Sequence, residues 1–311
     1  MNVVLKILFA VVVLFLAHMV YRQRSASGVP DGPVTPLSHE TNSNLYPALY
    51  ICHGGGPLPV LGDRDHKHMV DKWREHVRAI VSKHGPPKAI AVVSAHYNTR
   101  LPEVGGAARP TMFYDYGGFP KESYSLVYAA PGAPSLAERM VSSMKERGLL
   151  ASVNPDRRYD HGVFVPLMVM FEEETIPVVP ISVLRGDNAG EHIKMGQALR
   201  QFREEGVFFI GSGSSMHHFD HLWDGTKGAG TTFNNALTDI IANPHLSPEE
   251  RLSKMSRVSE LDGFSEAHPI NAQEHLMPLL TLLGTADGSV AREVANIPFY
   301  AANVRHYLFE S

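Results

Sequence analysis

One cysteine, Cys52, stands among 311 residues, so no disulfide can form within the chain. It ends an apolar run, which reads as a buried and inert thiol rather than a reactive one. A charge excess of one sign is also missing. The 28 Lys and Arg nearly balance 32 Asp and Glu, leaving a net charge near −4 and no basic run beyond the N-terminal segment. Nucleic acid as a partner is therefore not expected. The chain has no Asn-x-Ser/Thr acceptor and no visible internal repeat.

One long apolar run is present, Val3 to Val20, interrupted by Lys6 and His18 and followed by Tyr21-Arg22-Gln23-Arg24. At ~1.5 Å rise per residue it just reaches across a hydrocarbon core of about 30 Å. It is long for a signal-peptide core, and no clear small-x-small cleavage site follows. We read residues 1–24 as an uncleaved, single-pass membrane anchor; a cleaved signal and a peripheral helix are the alternatives. Arg22 and Arg24 outnumber Lys6, which places the following domain on the cytosolic side under the positive-inside tendency, with the secretory side left open. Residues 25–44 are rich in Gly, Pro and Ser and read as a linker.

The remainder, 45–311, has an ordinary globular balance, and 17 histidines in the chain are many for its length. Helical spacing runs from His66 to Lys83, from Glu191 to Glu204 and from Thr231 to Ala242. Ser135-Leu136-Ala137-Glu138 reads as a capping box opening a helix to about Arg147, with Gly148 as its stop. Pro248 to Glu260 and His275 to Leu283 read as two further helices. Strands are expected at Lys88–Ala95, Ile176–Val183 and Val207–Gly211, after a first one ending at Cys52. This alternation predicts a single α/β domain with a central, largely parallel sheet flanked by helices.

Three histidines stand just past such apolar runs: His53 before Gly54-Gly55-Gly56, His96 in Ser94-Ala95-His96-Tyr97, and His217 after Gly211-Ser212-Gly213. Ligands of open α/β sheets bind at the carboxyl ends of strands, so three imidazoles delivered there point to a metal. Each alone reads more readily as an incidental loop histidine, the joint pattern being stronger than any member, and His218 and His221 blur the third. Gly211-Ser212-Gly213 matches neither the dinucleotide fingerprint nor the P-loop. Asp160-His161-Gly162 sets an acid beside a histidine, where Asp160 could orient the ring. His275, in Glu274-His275-Leu276-Met277-Pro278-Leu279, heads an apolar helix, with His268 its nearest competitor.

Taken in order, these stretches carry a resemblance. Cys52-His53-Gly54-Gly55, Val93 to Tyr97, Tyr114-Asp115-Tyr116-Gly117-Gly118-Phe119-Pro120, Tyr128 to Pro134, Asp160-His161-Gly162, Ile210 to His217 and Glu274 to Leu279 follow one family's order across about 46–290. The chain resembles the class III extradiol ring-cleavage dioxygenases of the LigB type, in the DOPA 4,5-dioxygenase-like branch. The resemblance implies a LigB-like fold, one divalent metal per chain (Fe(II) for ring cleavage, Zn(II) a possible occupant), and O₂ with a DOPA-like or other catechol as substrates. It implies His53 and His96 as metal ligands, with His217 and His275 directed at the metal centre and either one completing the set. His161 and His217 become the candidate acid/base groups. Tyr114 and Tyr116 could line an aromatic pocket or serve packing. The sequence departs from the family at Gly54-Gly55-Gly56, where Gly-Ser-Pro is usual, and at His218, where Asn is common. Two extra residues also separate His268-Pro269 from His275. A zinc-dependent hydrolase and a catalytically silent Memo-like interaction protein are the alternatives on the same fold. Nothing in the sequence assigns an oligomeric state.

Overall fold

The structure is a computed structural model describing residues 45–186, 188–223 and 227–311. The anchor expected over 1–24 and the linker expected over 25–44 lie outside the described residues. No helix among the described residues is long and apolar enough to cross a membrane.

Eight strands are described: β1 (Ala48–Cys52), β2 (Ala89–Thr99), β3 (Glu103–Gly105), β4 (Ser152–Asn154), β5 (Val178–Leu184), β6 (Val207–Gly213), β7 (Arg292–Phe299) and β8 (Ala302–Phe309). They form one sheet in the order β4-β3-β5-β2-β6-β1-β8-β7. Between them come α1 (Lys67–His84), α2 (Pro134–Glu146), α3 (His161–Met170), α4 (Ala189–Glu204), α5 (Phe219–Trp223), α6 (Thr231–Ile241), α7 (Pro248–Met255), α8 (Phe264–Ala267) and α9 (Met277–Thr285).

The four central strands β5, β2, β6 and β1 pair in parallel. β1, β5 and β6 are buried along their whole length, as strands covered on both faces must be. The expectation of a largely parallel sheet needs correction: β3 runs antiparallel to β5, and β8 antiparallel to both β1 and β7, so the sheet is mixed. The added strands escaped the sequence pattern for a physical reason. β7 lies at the sheet edge and alternates buried and exposed residues, with Pro298 tolerated because it needs no further ladder partner. β3 and β4 are only three residues each.

Side chains alternate across β6, which separates two helical layers. Ser212 faces α3, where its hydroxyl donates to the Gly162 carbonyl at 2.5 Å. Gly211 faces Leu282 of α9. On that second face α9 packs on α4, and α1 packs with α3 on the first.

Helix boundaries bring three more corrections. α2 starts at Pro134 with Ala133 as its cap and no side-chain cap, so Ser135–Glu138 is not a capping box; a proline preset for the first helical position starts the helix two residues earlier. Pro248–Glu260 divides into α7 and a separate 3₁₀ turn, Val258–Glu260, and α7 carries a capping box at Ser247 and Glu250. α9 begins at Met277, leaving His275 on the turn before it.

Candidate active site

β6 enters the sheet between β1 and β2, so the carboxyl ends of all three lie side by side: Cys52 registers with Gly213, and Ser94 with Ser212. His53, the first residue past β1, donates its N–H to the Gly213 carbonyl at 3.2 Å. His96 does not close its strand. The β2–β5 register jumps from Ser94–Ser182 to Asn98–Val183, and the bulge at 95–97 turns His96 toward this edge. His275 reaches the edge from the turn before α9, its carbonyl accepting from the Tyr50 hydroxyl at 3.0 Å and the Ser214 N–H at 2.9 Å. That approach requires glycine at 213, since a Cβ there would lie 2.0 Å from the His275 oxygen.

Three imidazoles converge here. His96 Nε2 lies 3.1 Å from His53 Nε2 and 3.3 Å from His275 Nε2. The opposite nitrogens are all committed. The Ser212 hydroxyl gives its proton to Gly162, so it accepts from His53 Nδ1 at 3.0 Å. His275 Nδ1 meets Glu274 Oε1 at 2.9 Å, and His96 Nδ1 meets Asp115 Oδ2 at 3.3 Å. With the protons held on Nδ1, three Nε2 lone pairs face one another at distances that a shared cation would relieve. Burial, reinforced by the neighbouring imidazoles, holds all three well below the usual histidine pKa and keeps them neutral. This donor set fits one divalent metal.

Beside the trio stands His161. Asp115 Oδ1 accepts both its backbone N–H, at 3.0 Å, and its Nδ1–H, at 2.9 Å. Burial pushes the Asp115 carboxyl up, but the bonds from His161 outweigh it and leave the group below its ordinary value. The role anticipated for Asp160 thus falls to Asp115. Asp160 is buried and turned to the Ser94 hydroxyl and the Arg157 guanidinium. Asp115 was visible in Tyr114-Asp115-Tyr116, but its partner lies 46 residues away.

His217 stands alongside the trio. Its ring stacks on His275 with centroids 3.3 Å apart and 11° between planes, and burial lowers its pKa to about 4. His268 is enclosed with Phe233 and Phe264 and does not join the group. Tyr116 lines the cavity, whereas Tyr114 packs behind it with its hydroxyl on the Leu126 carbonyl. Burial pushes the Cys52 thiol up to about 11, in keeping with an inert cysteine.

The imidazoles form the floor of a cavity of about 370 Å³. Phe119 reaches it from the 106–120 loop and packs on Gly56. Phe299 and Tyr300 reach it from the β7–β8 hairpin, whose tip is tied to α5 through Ala301 N–H and the Leu222 carbonyl at 3.2 Å.

Fold and site together define an α/β enzyme whose donor set suits one metal ion. The family model described as the catalytic LigB subunit of aromatic ring-opening dioxygenase matches residues 47–307, and the chain belongs to that family. It is 37% identical to the dioxygenase tasH of Hapsidospora irregularis, over 79% of this chain and 80% of that one. It is 34% identical to the 4,5-DOPA dioxygenase extradiol of Beta vulgaris, over 79% and 89%. The crystal structure of uncharacterized protein JW3007 from Escherichia coli K12 superposes with a TM-score of 0.67 at 26% identity, covering 85% of this chain and 99% of that one. The chain is an extradiol-type aromatic ring-opening dioxygenase, which sets aside the hydrolase and the silent interaction protein.

Proposed function

We propose that this chain opens catechols by extradiol cleavage, with His53, His96 and His275 holding one Fe(II) and His161 acting as the acid/base group. The convergence of three unprotonated Nε2 atoms on the floor of an aromatic pocket carries this reading. Fe(II) bound there would acidify the catechol hydroxyls and provide open positions where ring and O₂ meet. Zn(II) suits the same three nitrogens but offers no redox chemistry. The reaction balances with O₂ as the only oxidant: the ring C–C bond beside the two hydroxyls breaks, both oxygen atoms enter the product, and a muconic semialdehyde results.

The protein's own groups handle the proton. With Nδ1 donating to Asp115, His161 keeps its proton on that side and offers Nε2 to accept one from a catechol hydroxyl. The imidazolium so formed is stabilised by the Asp115 carboxylate, and it can return the proton as the ring opens. His217, neutral and stacked on His275, supports that ring from behind and is a second group able to shuttle a proton. The apolar walls exclude water from the reacting carbons.

Full-length protein loaded anaerobically with Fe(II), then given O₂ and a catechol panel, is expected to consume O₂ and form a coloured ring-opened product. A Zn(II)-loaded sample is expected to stay silent. Absence of turnover on every catechol would overturn the reading.

A further inference from the structure

Apart from its histidines, the cavity is walled mainly by carbon. Leu58, Phe119, Phe219, Trp223, Phe299 and Tyr300 face it, and no Asp, Glu, Lys or Arg stands among the described lining residues. The apolar wall continues outward. Phe219 and Trp223 are 55% and 59% exposed at the mouth, and the Trp223 ring rests against Tyr300 with centroids 4.0 Å apart. Tyr300 sits in the left-handed region, φ 52°, within the two-residue turn that joins Phe299 to Ala302.

We propose, building on the catechol reading above, that this site selects catechols whose ring substituent is uncharged and apolar (alkyl, aryl or fused ring) over those bearing a carboxylate or ammonium group. Once the two hydroxyls sit at the imidazole floor, any substituent must lie along this wall. A charged one loses hydration there and meets no charged side chain among the described lining residues, which disfavours it. An apolar one buries its surface against five aromatic rings and a leucine. A cavity of about 370 Å³ belongs with sites for ligands larger than a bare ring, so there is room for the substituent. The selectivity separates this chain from one built for a catecholic amino acid such as DOPA.

The test is a matched pair, 4-propylcatechol and dihydrocaffeate, alike but for the carboxylate ending the side chain, with L-DOPA beside them. Full-length Fe(II)-loaded protein is expected to show kcat/KM about tenfold or more higher for 4-propylcatechol, mainly through KM. Equal or better turnover of dihydrocaffeate or L-DOPA overturns the proposal. Binding is read independently by quenching of Trp223, because the other tryptophan, Trp73, is buried in the core. If no catechol consumes O₂, the ring-cleavage reading falls, and the order of quenching affinities still decides the selectivity: tighter 4-propylcatechol supports it, the reverse overturns it. Phe219→Arg, at an exposed position, is expected to shift the kcat/KM ratio about tenfold toward dihydrocaffeate, and an unchanged ratio overturns the assignment to this wall.

Discussion

Asp115 holds two imidazoles at once, His161 through Oδ1 and His96 through Oδ2. It therefore sets the tautomer of the proposed base and orients a proposed metal ligand with a single carboxylate. Asp115→Asn preserves the shape but lets the amide present a donor to one of the rings. Steady-state O₂ uptake is expected to fall about 10–100-fold, with the thermal unfolding midpoint little changed, and undiminished activity would remove Asp115 from the mechanism. Local sequence pointed to Asp160 instead, because it adjoins His161. Adjacency in the chain does not fix direction in space: as the residue before α3, Asp160 turns back to Ser94 and Arg157. His53 and His96 were legible because each follows an unmistakable apolar run, although His96 sits at a bulge within β2 rather than past its end. The proposal of His275 rather than His217 as the third ligand rests on the approach of its Nε2 to His96, 179 residues away in the chain, which no local residue pattern encodes.

Single elements are stitched together by buried cations bonded to carbonyls. Arg203, near the end of α4, donates through Nε to Tyr46 O at 2.8 Å, through Nη1 to Thr285 O at 3.1 Å and through Nη2 to Phe309 O at 2.9 Å. It thereby joins the approach to β1, the end of α9 and the end of β8, with burial drawing its pKa down to about 9. Arg203→Met leaves these carbonyls buried and unpaired. Urea unfolding is expected to show a loss of about 3–5 kcal/mol, and a loss below about 1 kcal/mol would contradict this role. The β7–β8 hairpin is the element the sequence concealed most completely, since one face of β7 meets solvent and its apolar residues are interrupted. Yet its tip supplies Phe299 and Tyr300 to the cavity.

Across the whole molecule, burial of neutral histidines ties stability to pH. His192 donates Nδ1–H to Asn188 O and accepts the Leu184 N–H on Nε2, and burial lowers its pKa to about 4. Between pH 6.5 and about 4 the unfolded chain binds a proton here that the folded chain refuses, so stability is full above 6.5 and declines as pH falls. The decline attributable to His192 is about 3 kcal/mol at most. His192→Gln can keep one of these bonds without titrating, so its unfolding free energy is expected to fall less steeply over that range; parallel curves would refute the assignment. By itself the sequence determined the α/β alternation, the apolar runs leading to His53 and His96, the Asp-His-Gly setting of His161 and the family resemblance. All of these follow from neighbours along the chain. Tertiary structure alone decided that β6 enters between β1 and β2, that Ser212 fixes the His53 tautomer, that Asp115 pairs with His161, and that a hairpin closes an uncharged wall over the imidazoles. Those contacts join residues far apart in sequence, and they form only when the mixed sheet closes around a shared core.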